Sequence, residues 1–200
     1  MLVILDRDGV INEDSDEYVK SLEEWHPLPG SIDAIADLSK NGFTVAVATN
    51  QSGLGRGLFQ LEDLEAMHAR LNELVEAAGG ELAGIFYCPH TPDDHCDCRK
   101  PKPGLIDAIA RELDQPAQGA WFIGDTLRDL EAGRSRDCVP VLVLTGKGAA
   151  AQRAIAADPH SPWRDVAIYA DLAAAARALI ATIATDNGAV AGVAHGDRDE

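Results

Sequence analysis

The chain has 200 residues, 46% of them hydrophobic, enough to bury one sizeable core, so a single domain is expected. Its formal net charge of −16 disfavours a nucleic-acid backbone or an anionic membrane surface as partner. No stretch approaches the roughly 20 apolar residues of a membrane span, and the first apolar run is too short and lacks the basic leader of a signal peptide, so a cytoplasmic location is expected.

Residues 2–5 (LVIL) are wholly apolar, as suits a strand buried on both faces of a parallel sheet. The run stops at Asp6-Arg7-Asp8-Gly9. Two carboxylates two apart at the end of a buried strand are costly unless paired, and a hard divalent cation with oxygen ligands would pair them. Gly9 lets the chain turn away. The acidic stretch 13–24 reads as a loop over the strand ends; its charges are either simply solvated, or Asp14, Asp16 or Tyr18 meets substrate hydroxyls. Ser31 is the expected N-cap of a helix whose apolar face is Ile32, Ile35, Ala36 and Leu38.

A second strand over 43–48 runs into Thr49-Asn50-Gln51-Ser52-Gly53, with Arg56 in a glycine-rich loop. An amphipathic helix is predicted over 61–78, with His68 on its packed face. A third strand at 85–87 leads into a cysteine-rich loop and a helix over 103–113, opened by Pro103. The strand at 120–123 ends at Gly124-Asp125, followed by a short helix over 127–133. Strands at 139–144 and 166–169 and an alanine-rich helix over 172–184 complete the pattern; 186–200 reads as a disordered tail. Such alternation implies a three-layer α/β/α sandwich around a central parallel sheet, formed by residues 1–185. In such sheets ligands bind beyond the carboxyl ends of the strands, where Asp6, Thr49 and Asp125 all fall.

Cys88, His90, Cys96 and Cys98 form C-x-H-x₅-C-x-C, a compact set of soft and borderline ligands that suits tetrahedral zinc in a closed structural site. His95 lies inside the loop and is the competing histidine. The loop (88–98) leads directly into Arg99-Lys100-Pro101-Lys102-Pro103-Gly104, a basic run in an acidic chain, and so would fix those cations. Cys138 stands apart and reads as a small buried hydrophobe.

DRDGVIN, the Thr49-Asn50 pair, the RKPKPG run and Gly124-Asp125-Thr126-Leu127-Arg128-Asp129 resemble, in order, the four motifs of the haloacid dehalogenase (HAD) superfamily of phosphotransferases. The resemblance implies that Asp6 attacks phosphorus, that Asp8 acts as acid and base, and that Thr49 and Lys100 hold the phosphoryl group. It further implies Mg²⁺ on Asp6, the backbone carbonyl of Asp8 and Asp125, with Thr126 and Asp129 behind them.

Within the superfamily the zinc loop is similar to two groups without a large cap domain. One comprises the phosphatases of D-glycero-D-manno-heptose 1,7-bisphosphate, the other the histidinol-phosphate phosphatases. TNQSGLGRGLF and RKPKPG favour the first. This implies hydrolysis of the C7 phosphate of a small sugar bisphosphate, leaving heptose 1-phosphate for nucleotide-heptose and surface-glycan synthesis. It also implies that Asn50, Gln51 and Ser52 line the site and that Arg99 helps recognise the substrate, with the second phosphate meeting Arg99 or Arg56. Some members carry Lys where this chain has Thr126. The alternatives are a histidinol-phosphate or other small sugar-phosphate phosphatase and, from another class, a zinc-stabilised binding module without catalysis. A monomer is expected.

Overall fold

A computed structural model describes the chain through residue 191, and its side chains through residue 183. Six parallel strands, β1 (Leu2–Leu5), β2 (Thr44–Asn50), β3 (Gly84–Cys88), β4 (Trp121–Gly124), β5 (Val139–Val143) and β6 (Ala167–Tyr169), form one sheet in the order β3-β2-β1-β4-β5-β6. The chain winds outward in one direction from β1 to β3 and in the other from β4 to β6. The loops leaving β1 and β4 therefore diverge, and a crevice opens between them.

Alternation along the strands supplies both faces. Val3 and Leu5 of β1 and Val45 and Val47 of β2 pack with helices α1 (Ser31–Lys40), α3 (Leu61–Ala77) and α7 (Leu172–Ala191). Leu2, Ile4, Ala46, Ala48 and Phe122 face α4 (Gly104–Glu112), while Leu130 of α5 (Leu127–Arg134) joins Leu142 and Ile155 of α6 (Gly148–Ala157). The expected three layers are thus present, with each strand of the centre buried on both sides, as a parallel sheet requires.

Some expectations need correction. Gly30, in the left-handed region, is the N-cap of α1, and the Ser31 hydroxyl instead donates to the Ile11 carbonyl at 2.6 Å, fastening the helix to the chain after β1. Two α-helices lie outside the expected elements: α2 (Ser52–Gly55), one turn long, and α6, whose alanines give little apolar periodicity. The last helix runs on to Ala191, so the tail expected from 186 is helical over 186–191; residues 192–200 lie outside those described. Among the described residues, no helix is long and apolar enough to cross a membrane.

Candidate active site

Three strand ends and the zinc-type loop build one cleft. Its wall includes Asp6 and Asp8 after β1, Thr49 to Ser52 at the end of β2, Arg99 and Lys100, and Asp125 after β4. Lys100 is the pivot. Its ammonium, 2% exposed, stands 2.8 Å from Asp6 Oδ1 and 2.8 Å from Asp129 Oδ1, and donates to the Ala48 carbonyl at 2.8 Å. Burial lowers its pKa, but the charges of Asp129 and Asp6 outweigh this and raise it.

The carboxylates of Asp6, Asp125 and Asp129 lie within 4.8 Å of one another. Burial, with Asp129 and Asp125 close by, holds Asp6 well above the usual carboxylate range despite Lys100. Burial and the charge of Asp129 push Asp125 up to about 7. Three carboxylates against one buried ammonium leave a surplus of negative charge, which one divalent cation would balance. The hydrogen bonding selects the ligands. Asp129 has both oxygens engaged, Oδ1 by Lys100 and Oδ2 by the backbone N–H and hydroxyl of Thr126 at 3.0 and 2.6 Å. Asp6 uses only Oδ1, toward Lys100 and the Arg7 N–H, and Asp125 only Oδ2, toward the Lys147 N–H at 2.7 Å. One oxygen on each thus remains for an ion. Thr126 and Asp129 together close the first turn of α5 as a capping box.

Backbone packs closely around Asp125. Gly9 (φ 83°) and Gly146 (φ 53°) approach the Asp125 carboxylate so closely that a Cβ on either would run into Oδ2.

Asp8 is held from three sides. Arg7 donates to it from Nε and Nη2 at 3.1 and 2.9 Å, Asn12 at 2.9 Å and Gln51 at 2.8 Å. Burial raises its pKa, but the Arg7 charge and these hydrogen bonds prevail, and the carboxyl lies below the ordinary range. Gln51 also donates to Thr49 Oγ1 at 2.9 Å, joining the ends of β1 and β2. Arg7 itself is wholly buried, and its Nη1 donates to His68 Nε2 at 3.3 Å. Burial and the Arg7 charge push His68 down to about 3, so it is neutral and can accept. Expected to be a packed core residue, His68 has its ring centroid 5.9 Å from that of Tyr87 but also holds a polar contact one step from Asp8.

Of the expected substrate contacts, Asp14, Tyr18, Asn50, Gln51, Ser52 and Arg99 line the cleft. Arg56 does not. The one-turn helix α2 carries the chain from buried Ser52 outward, and Arg56 is exposed at its end, outside the cleft wall. Two cleft cations were not anticipated, Arg128 and Lys147. Arg128 also lines the adjoining groove beside Lys102 and His95. It sits in the fourth motif, so its place was legible; Lys147 follows β5 and carries no motif.

The four zinc-type ligands come together as spaced. Cys98 Sγ lies 3.1, 3.5 and 3.2 Å from Cys88 Sγ, Cys96 Sγ and His90 Nδ1, and Cys88 lies 3.7 Å from Cys96. Sulfurs at Zn–S ≈ 2.3 Å on a tetrahedron stand about 3.7 Å apart, so the donors fit one ion. His95 is not part of the cluster. Burial and the Cys98 thiol hold Cys88 above the ordinary thiol range, a cost that a bound cation would reverse.

Fold and cleft together define a HAD-type phosphatase. A family profile described as HAD-hydrolase-like matches residues 97–167. The D-glycero-beta-D-manno-heptose-1,7-bisphosphate 7-phosphatase of Pseudomonas aeruginosa is 63% identical over 147 residues, 74% of this chain and 83% of that protein. That of Pseudomonas putida is 58% identical over 179 residues, 90% and 99% of the two chains. The crystal structure of D,D-heptose 1,7-bisphosphate phosphatase from B. bronchiseptica, complexed with magnesium and phosphate, superposes with a TM-score of 0.84 at 46% identity, covering 90% of this chain and 98% of that one. The chain belongs to the D-glycero-beta-D-manno-heptose-1,7-bisphosphate 7-phosphatase family, and it is a phosphoric monoester hydrolase.

Proposed function

We propose that this protein removes the C7 phosphate of D-glycero-β-D-manno-heptose 1,7-bisphosphate, leaving heptose 1-phosphate for nucleotide-heptose synthesis, as a cytoplasmic monomer. The observation that carries the reading is the buried Lys100 between Asp6 and Asp129, which poises a carboxylate and a phosphate-binding cation at one spot.

Asp6 attacks phosphorus in line with the sugar oxygen; an Asp6 O–P bond forms as the P–O7 bond breaks, giving an aspartyl-phosphate. Asp8, ionised at rest, first takes a proton from solvent and then gives it to the departing alkoxide. In the second half it takes a proton from water, which attacks phosphorus and releases Asp6 and inorganic phosphate. The Arg7, Asn12 and Gln51 contacts favour the ionised Asp8 that this base step needs. Lys100 and the Thr49 hydroxyl hold the phosphoryl oxygens. Asp6 and Asp125, with the Asp8 carbonyl, suit Mg²⁺, which when bound supplies charge neutralisation between carboxylate and phosphate. Cys88, His90, Cys96 and Cys98 suit Zn²⁺ in a structural role, and Arg99 is braced against this loop by donating to the His90 carbonyl at 3.2 Å. The distal phosphate meets Arg99 and Arg128 rather than Arg56.

The test is phosphate release from both anomers of the heptose bisphosphate, from histidinol phosphate and from fructose 1,6-bisphosphate, with Asp6→Asn as the blank. Preference for the β-heptose, lost by at least about 10⁴-fold in the blank, is expected. Better turnover of another substrate would keep the chemistry and overturn the substrate.

A further inference from the structure

The stretch Asp14–Asp16 forms part of the cleft wall yet is poorly secured by its own backbone. Its hydrogen bonds are local: the Ser15 N–H donates to Asp14 Oδ1, and the Glu17 and Tyr18 N–H groups donate back to Ser15. Among the described residues, every ion pair and hydrogen bond that joins Asp14, Ser15 or Asp16 to a distant part of the chain runs to Lys147. Its ammonium stands 2.9 Å from Asp14 Oδ2 and 3.5 Å from Asp16 Oδ1. Tyr18, by contrast, is wedged against Gly53 of α2.

Lys147 is well placed to anchor. Its backbone N–H is the donor to Asp125 Oδ2, and two residues earlier the Thr145 hydroxyl donates to the Gly9 carbonyl at 2.6 Å. The lysine therefore springs from a segment already stitched to the ends of β4 and β1, and little backbone freedom remains to be lost when its side chain pairs. Asp14, partly buried, keeps lone pairs beyond the two it commits, so it can still accept from a sugar hydroxyl.

We propose that Lys147 is a positioning residue for sugar recognition, tying the Asp14–Asp16 wall to the cleft so that its carboxylates meet the hydroxyls of the substrate at a fixed distance from phosphorus. The proposal rests on the sugar-bisphosphate reading above. Holding the wall in advance removes the cost of ordering it at each binding event, and a fixed wall discriminates a polyhydroxy chain from a bare phosphate ester.

The experiment compares kcat/KM for the heptose bisphosphate with that for acetyl phosphate, which has no sugar to reach the wall. In Lys147→Met the ratio falls about tenfold, mainly through KM for the heptose, and Lys147→Arg restores it to within about threefold. Asp14→Asn combined with Lys147→Met is no worse than the more damaging single change. Equal losses on both substrates, an unchanged ratio or additive singles would overturn the proposal. Amide hydrogen exchange over residues 13–18 gives a readout free of any substrate: exchange quickens about tenfold in Lys147→Met but not in Lys147→Arg, and unaltered exchange refutes the tie. Wild-type turnover of acetyl phosphate without turnover of the heptose would instead overturn the substrate reading, leaving the exchange result to decide for or against the tie.

Discussion

Asn50 and Lys100, fifty positions apart, hold each other by a reciprocal pair of hydrogen bonds: the Asn50 amide donates to the Lys100 carbonyl at 3.1 Å, and the Lys100 N–H donates to Asn50 Oδ1 at 3.0 Å. The end of β2 is thereby locked to the residue that carries the cleft's buried cation. Asn50 lines the cleft, and each of its side-chain polar groups makes one bond of this lock.

The lock makes a directional prediction. Asn50→Ala removes it and lowers kcat about tenfold. Asn50→Asp keeps one bond, turns an oxygen toward the Lys100 carbonyl and adds a further carboxylate to a cleft already rich in them, so kcat falls about 100-fold. Steady-state kinetics would show the order; a worse alanine variant would mean that Asn50 acts on substrate instead.

Metal binding should depend on pH through Asp125. Its folded pKa, about 7, lies above the roughly 3.9 of an unfolded aspartate, so the folded metal-free protein binds more protons in between. Its contribution to stability therefore falls as pH rises from about 4 to about 7, then levels off. Mg²⁺ must displace that proton. The rise in Tm on adding Mg²⁺ is expected to be larger at pH 8 than at pH 5.5, and scanning calorimetry at the two values would expose the opposite order.

Cys98→Ser removes the thiol that touches all three other ligands. One zinc per chain is lost, Tm falls by about 10 °C, and KM rises more than kcat falls because Arg99 is braced on the His90 carbonyl. Zinc content alongside calorimetry and kinetics checks this; unchanged Tm and KM would show that the loop stands without metal.

Arg128 and Arg56 separate cleanly. Arg128→Ala should raise KM for the bisphosphate about tenfold and raise that for a monophosphate much less, whereas Arg56→Ala should alter neither by more than about twofold. A larger effect at Arg56 would move the distal phosphate to the other side of the cleft.

Much of the site could be read before the fold because each key residue ends a buried apolar run, where a charge stands out. Asp6, Thr49 and Asp125 are of this kind, and the C-x-H-x₅-C-x-C spacing is equally local. Arg7 gives no such local signal although it lies between two singled-out aspartates, since its contact with His68 depends on where α3 packs. Lys147 is invisible for a related reason: its meaning lies in a pairing with Asp14 from the opposite end of the chain. Arg56, singled out by its motif, stands outside the cleft wall because one turn of helix carries the chain outward.

Gly9 and Gly146 press their α-carbons on Asp125 from two separate loops. On that side the seat of the carboxylate is cut from main chain, and its shape there does not depend on any rotamer. Substrate preference can drift with the residues around the rim while this seat keeps its dimensions. The same arrangement leaves two positions at which the smallest possible addition, a methyl group, would force the Asp125 carboxylate to shift.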